Sequence, residues 1–346
     1  MQLQTRKNIT ALELAMAKQY GVESVSQKFN VSPSQAQKII AAAKQENTFL
    51  SKINVLTVKN QKGEAIRLDV TGMIASTTDT AANDRAPADQ HSLGGTPYLC
   101  LQVNFDTFIK YETLDAWAHD QKFKKLVAEQ TRKQISANQI QVGFWGETRV
   151  ANSSAVTNPK GQDVAQGWLS KVKVQAPQNY LTGGATANEI RLGEGTGHDY
   201  INLDAMVNDI KQMIEPEFED DGDLVAIIGS ELLAHEKAKF YDAHGNTPSE
   251  KAKIEDRQII GTYGGLPAYK IPFFPPRGVM VTSFKNLSIY IQADSIRRLM
   301  LDNPKRDRYE TYQSQNMDYV IEELGKIAAV EHKNVKLTTD GGNTWS

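Results

Sequence analysis

The side chains best suited to chemistry near neutral pH are six histidines and one cysteine, and their spacing decides what they could do. His119 follows Asp115 by one helical turn, and His235 with Glu236 lies near the start of another helical run, so each pair could offer two ligands to a divalent cation. Neither pair has a third ligand at a fitting spacing. Both therefore read as polar residues on helix faces, and no metal site is expected. Cys100 lies in the alternating run Tyr98-Leu99-Cys100-Leu101-Gln102-Val103, with no second cysteine for a disulfide and no histidine base in a recognisable local signature. The run Arg191-Leu192-Gly193-Glu194-Gly195-Thr196-Gly197 precedes a helix and has the glycine content of a phosphate loop. It lacks the Lys-Ser/Thr pair that grips phosphate and metal, and Glu194 would repel an anion, so it reads as a flexible connector. Trp117 and Trp168 read as core or interface rings rather than ligand platforms. The expectation is a chain with no catalytic residue and no cofactor.

Charge clusters are the next candidates. Arg297, Arg298, Lys305, Arg306 and Arg308 put five cations in twelve residues, and the stretch from Glu215 to Asp223 puts six carboxylates in nine. Set against opposite charge on adjacent subunits, either group would steer and register association; as solvated faces they would contribute little. The stretch from Val25 to Gln35 has the outline of a helix-turn-helix that would offer Gln35, Gln37 and Lys38 to a major groove. Few basic residues accompany it to neutralise phosphates, and the competing reading is two capped helices of an arm. Over the whole chain 39 basic residues balance 41 acidic ones, a net charge of -2, so there is no electrostatic footprint of a dedicated nucleic-acid or membrane binder.

The elements that position these residues can be traced along the 346-residue chain, which is long enough for one large domain or for two or three smaller ones. Thr10 with Glu13 predicts a helix running to Gly21, and Ser32-Pro33 predicts a second one reaching Phe49. Residues 1–52 hold too few large apolar groups to form a core alone, so they read as an arm packed on something else. Strands are expected from Ile53 to Val58 and from Glu64 to Val70, then one long strand from Tyr98 to Tyr111 with Leu99, Leu101, Val103, Phe105 and Ile109 on one face. Residues 74–96 are small and polar, a connection longer than a domain normally leaves unstructured. A two-stranded ribbon is only marginally stable alone in water, so this hairpin is expected to lie across another molecule. A long helix is predicted from Thr113 to about Gln139, a short element around Gly167-Trp168-Leu169, a helix from Leu203 to Ile214 capped by Asn202, and then the strand Leu224 to Ile228 followed by a helix from Ser230. The remaining strands are Ala268 to Ile271, Val279 to Thr282, Leu287 to Ile291, Tyr309 to Gln313, Met317 to Glu322 and Ile327 to His332. The fold class is α+β. The first residues lack the apolar core of a signal peptide, and no stretch approaches the roughly 18 apolar residues of a membrane span, so neither secretion nor a membrane partner is expected.

Several strings together resemble a known family. Val70-Thr71-Gly72-Met73-Ile74-Ala75-Ser76-Thr77-Thr78-Asp79-Thr80, Asn104-Phe105-Asp106 and Thr113-Leu114-Asp115-Ala116-Trp117-Ala118 are similar to the major capsid proteins of P2-like tailed phages. So are Leu266-Pro267-Ala268, Asn286-Leu287-Ser288-Ile289-Tyr290 and Asn303-Pro304-Lys305-Arg306-Asp307-Arg308. The resemblance implies an HK97-like capsid fold: an N-terminal arm at 1–52, an extended loop at 53–110, a peripheral domain at 111–200 with 293–346, and an axial domain at 201–292. It implies copies joined as pentamers and hexamers in an icosahedral virion shell around double-stranded DNA that is held non-specifically. The implied partners are an internal scaffold that carries a protease, the portal, and head-completion or decoration proteins, with assembly in the host bacterial cytoplasm. The protease would trim the arm near Phe29-Asn30-Val31. Candidate contacts between subunits are Thr77, Thr78, Asp79 and Arg85 on the loop, with Arg297, Arg298, Lys305, Arg306 and Arg308. No lysine occurs between Lys62 and Lys110, so a loop-borne lysine-to-asparagine cross-link lacks its nucleophile. The competing class is a cytosolic α+β enzyme with residues 74–96 as an active-site lid, but such a lid normally covers convergent acid-base groups, and none is apparent.

Overall fold

The computed structural model describes residues 3–70, 75–82, 84–87, 91–117, 123–244, 261–338 and 342–346. The arm comprises α1 (Leu3–Tyr20), the two-residue strand β1 (Phe29–Asn30), α2 (Pro33–Glu46) and α3 (Thr48–Lys52). Proline at the first turn starts α2 as predicted. Asn47 breaks the expected continuous helix by adopting extended backbone and accepting the Phe49 amide at 2.9 Å, which starts α3 instead. The first helix begins seven residues earlier than Thr10, whose hydroxyl bonds back to the Arg6 carbonyl rather than capping.

β2 (Asn54–Val58) leads into the ribbon β3 (Lys62–Val70) and β4 (His91–Leu99), which pair antiparallel from Lys62↔Leu99 to Val70↔His91. Thus residues 91–96 belong to a strand rather than to the expected loop. The long strand predicted from Tyr98 to Tyr111 is instead three: the end of β4, then β5 (Leu101–Asn104) and β6 (Thr107–Lys110). It breaks where Cys100 donates its amide to Gln61 O and where Asp106 Oδ1 takes the Gln313 amide, both outside a regular ladder. The predicted rod is also divided, into α4 (Tyr111–Ala116) and the 23-residue α5 (Phe123–Trp145), which runs six residues past Gln139.

Next come α6 (Trp168–Gln175), β7 (Tyr180–Leu181), β8 (Ile190–Leu192), α7 (Leu203–Gln212), β9 (Leu224–Ile228) and α8 (Ser230–His244). Asn202 caps α7 by accepting the Ala205 amide at 2.8 Å, as predicted. The last third holds β10 (Thr262–Tyr263), β11 (Leu266–Tyr269), β12 (Val279–Ser283), β13 (Leu287–Gln292), β14 (Arg297–Asn303), β15 (Arg308–Ile321), β16 (Ile327–Val330) and β17 (Val335–Leu337). Tyr309 to Gln313 and Met317 to Glu322, expected as two strands, are parts of the single 14-residue β15.

β15 is the axis of a seven-stranded sheet. Ser314 faces Arg297 of β14 on one side and Asn104 of β5 on the other; Met317 likewise faces Ile291 of β13 and Leu101 of β5. β1 closes the far side of β14, and β2 runs parallel to β13. Of the 53–110 interval, then, only Lys62–Leu99 forms a separate ribbon, while β2, β5 and β6 are strands of this large sheet.

A second sheet, ordered β10-β11-β9-β12-β16-β7, separates two cores. Side chains alternate across a strand, so β9 sends Val225 and Ile227 toward Phe49, Phe144, Trp168 and Tyr319, and Leu224, Ala226 and Ile228 toward Leu203, Met206 and Ile210 of α7. Trp168 anchors the first core. It is fully buried, its Nε1 donates to Ser288 O at 3.1 Å, and its ring meets those of Phe144 and Tyr319 edge to face at 5.2 and 5.1 Å. Burying a ring of this size contributes roughly 3 kcal/mol.

Candidate assembly surface

The ribbon grows from a packed root. Tyr98 sits edge to face on Tyr290 at 5.0 Å, and with Cys100 and Val320 these residues form a small core of their own. Asp318 Oδ2 accepts the Leu99 amide at 2.9 Å, and its other oxygen accepts the Lys171 ammonium at 2.8 Å, so a buried ion pair fixes the ribbon's last residue to α6 and β15. Away from the root the character changes. Residues 75–82 and 84–87 are all exposed, including Thr77, Thr78, Asp79 and Arg85, and the described order there is a local turn in which Asp79 Oδ1 accepts the Ala81 amide at 3.0 Å.

The cation-rich segment turns out to be a strand, β14, and the turn after it, an element that sequence reasoning missed. The signal available was the Asn303-Pro304 turn with Asp307, whose φ of 49° is the left-handed value of a tight reversal. The five cations do not share one environment. Lys305 and Arg306 stand exposed on the turn, and Arg297 reaches Gln102 Oε1 at 3.4 Å. Arg308 pairs with Glu310 at 2.6 Å and stacks 4.5 Å from the Phe108 ring centre. Arg298 points to the opposite face, beside Tyr20. Tyr312 and Arg308 together hold Glu310 below the usual carboxylate range.

Three of the six carboxylates of the acidic turn are paired within the chain. Lys326 pairs with Asp221 and Asp223 at 2.7 and 2.8 Å, and Lys211 lies 3.5 Å from Asp220. The arm's first segment docks on the outer part of the large sheet. Thr5 donates to Asp115 at 2.5 Å, the Tyr309 hydroxyl donates to Glu13, and Ala17 and Val25 pack on Met300 and Tyr309. Phe29 and Asn30 pair with Arg298 and Arg297 in register, so the helix-turn-helix outline is two arm helices bridged by an edge strand.

The residues weighed for chemistry do not converge. Burial, and then the Asp318 charge, push the Cys100 thiol up to about 12, leaving it an inert core group. His235 bonds the Thr338 carbonyl at 2.9 Å, and His119 lies outside the described residues. Among the described residues, no group of three or more His, Cys, Asp and Glu side chains is placed to hold a metal ion. The glycine-rich run is less loose than expected of a connector: Asp199 accepts the Ala185 and Arg191 amides at 2.7 and 2.8 Å and folds it back on β8.

A family model described as phage major capsid protein, P2 family, matches residues 9–333. The chain belongs to that family. It is 39% identical over 343 residues to the capsid protein of Escherichia phage P2, covering 96% of this chain and 95% of that protein. It is 34% identical over 327 residues to the major capsid protein of Serratia phage KSP20, covering 92% and 93%. A chain of the satellite phage P4 procapsid, solved with its size determination protein, superposes with a TM-score of 0.76 at 38% identity over 98% of this chain and 99% of that one. A chain of Gordonia phage Cozz, 11% identical over 85% and 87%, shares only the fold, with a TM-score of 0.52. The capsid protein is therefore a structural building block of a virion shell with the HK97-like fold, and it is not an enzyme.

Proposed function

We propose that this capsid protein joins as pentamers and hexamers into the icosahedral head of a tailed phage around double-stranded DNA, with the ribbon Lys62–Leu99 laid over a neighbouring copy. One observation carries the reading: the described tip residues are exposed throughout, while the buried contacts that tie the ribbon to its own chain lie at its root. A two-stranded ribbon has too little apolar surface to order itself, and a neighbour's surface supplies the missing contacts. Thr77, Thr78, Asp79 and Arg85 then meet the adjacent subunit directly. Lys305, Arg306 and Arg297 meet it from the sheet side, whereas Arg298 and Arg308 act through their partners within the chain.

In this reading the arm is 1–52, the extended loop 53–110, of which only the ribbon Lys62–Leu99 stands apart from the large sheet, the peripheral domain 111–200 with 293–346, and the axial domain 201–292. An internal scaffold carrying a protease, the portal, and head-completion or decoration proteins are the further partners, and assembly takes place in the host bacterial cytoplasm. A cut near Phe29-Asn30-Val31 falls in or beside β1, so the protease must first lift that strand from β14. Expression beside the scaffold gene, followed by electron microscopy of the lysate, tests the proposal. Closed shells are expected from the native chain, and fewer from Lys305→Glu with Arg306→Glu. Undiminished closure by that variant removes the turn from the interface.

A further inference from the structure

Arg298 carries a charge that the described chain does not balance. Its Nη1 donates to the Tyr20 hydroxyl and its guanidinium lies 5.3 Å from the Tyr20 ring centre, but its Nε is sealed from solvent with no acceptor. An arginine cannot escape this by losing its proton, and although the residue as a whole is half-buried, a sealed donor left without an acceptor is costly. Burial already works against the charged form, and the nearby Arg132 pushes the same way.

Arg298 lines a cavity of about 40 Å³ between α2, α5 and the large sheet. Its polar wall is Lys44, Arg132, Ser136, Gln139, Arg298, Gln313 and Gln315, and among the described residues no Asp or Glu contributes to the lining. Two further groups there are poorly satisfied. Ser136 Oγ is buried without a partner, and the Gln315 amide donates to the Met317 thioether at 3.4 Å, a weak acceptor for want of a better one. Water would satisfy the serine but would leave the positive charge uncompensated.

We propose that this cavity is a binding site for a small inorganic anion of halide size, with chloride the first candidate. A single water needs roughly 10–15 Å³ of such space, so the volume suits one halide or a few waters and is small for a phosphate with four oxygens to place. The ion supplies the acceptor that Arg298 and Ser136 lack. It also ties arm helix α2 to α5 and to β14 and β15.

The test uses the full-length protein. Thermal unfolding is followed at fixed ionic strength while sodium gluconate is replaced by sodium chloride, and the chloride NMR line width is measured on the same samples. Tm is expected to rise and saturate with chloride, with broadening that bromide displaces. Arg298→Met keeps an unbranched apolar stem without the charge and should fold while losing both responses; Ser136→Ala should shift the chloride midpoint upward. Equal Tm in chloride and gluconate overturns the proposal, as does an undiminished response in Arg298→Met. Should Arg298→Met not fold, an unchanged midpoint in Ser136→Ala overturns it. If the native chain shows no chloride dependence while Arg298→Met blocks shell closure, the charge is met by a neighbour's carboxylate and the anion site is refuted.

Discussion

The Lys171 ammonium lies 2.8 Å from the Asp318 carboxylate, with the two side chains only 7% and 12% exposed. The same carboxylate takes the Leu99 amide, so one ion pair joins α6, the central strand β15 and the point where the ribbon leaves the body. The direction in which the ribbon leaves is thus set by a buried interaction.

Removing one member of a buried pair strands the other charge, at a cost of about 3–5 kcal/mol. Lys171→Met is expected to lose that much stability in urea unfolding. Adding Asp318→Asn should recover part of it, because the charge disappears while the amide oxygen still accepts from Leu99. A double variant no more stable than the single one would show that the stranded carboxylate is not the cause.

Gly143 is where α5 meets the core tryptophan. A Cβ added there would stand 2.4 Å from Trp168 Cζ3, inside any real contact. Gly143→Ala is expected to cost about 1–3 kcal/mol through overpacking, and less in a Trp168→Leu background because the two sites share that space. Calorimetric Tm of the four proteins measures the coupling. Additive losses would mean that Trp168 is not what constrains Gly143.

Elements with local cues were legible in the sequence, whereas those defined by distant partners were not. Ser32-Pro33 marks the start of α2, Asn202 caps α7, and the apolar run Leu224 to Ile228 is a buried strand, each needing nothing beyond its neighbours. β14 was missed because Arg297-Arg298 reads as a charge cluster, and only pairing with β15 makes it a strand. Cys100 breaks an alternating run through its bond to Gln61 O, which alternation cannot reveal. At the candidate surface, the exposure of Thr77, Thr78, Asp79 and Arg85 followed from their small polar surroundings. The inward turn of Arg298 depends on Tyr20, 278 residues away.

His332 makes stability depend on pH. Both ring nitrogens are buried without a hydrogen-bond partner, Nδ1 standing 3.7 Å from Glu331 Oε1, and the ring packs edge to face on Trp145 at 5.0 Å. Burial holds its pKa below the ordinary 6.5; Glu331 and Glu147 oppose that shift, and Lys333 and Lys160 reinforce it. With the folded value the lower one, the unfolded chain binds the proton more readily, so this contribution is complete above pH 6.5 and is lost as pH falls through the folded-state pKa. His332→Phe should flatten the decline in Tm as pH falls below about 6.5, relative to the native chain. Parallel curves would remove His332 as the source.

The central claim, that the ribbon tip works on a neighbouring copy and not on its own chain, is tested most directly by replacing residues 75–87 with a short Gly-Ser link and expressing the variant beside the scaffold gene. The account predicts a subunit whose Tm is unchanged and which forms no closed shells under the electron microscope. Shells of normal shape and yield from that variant would contradict it.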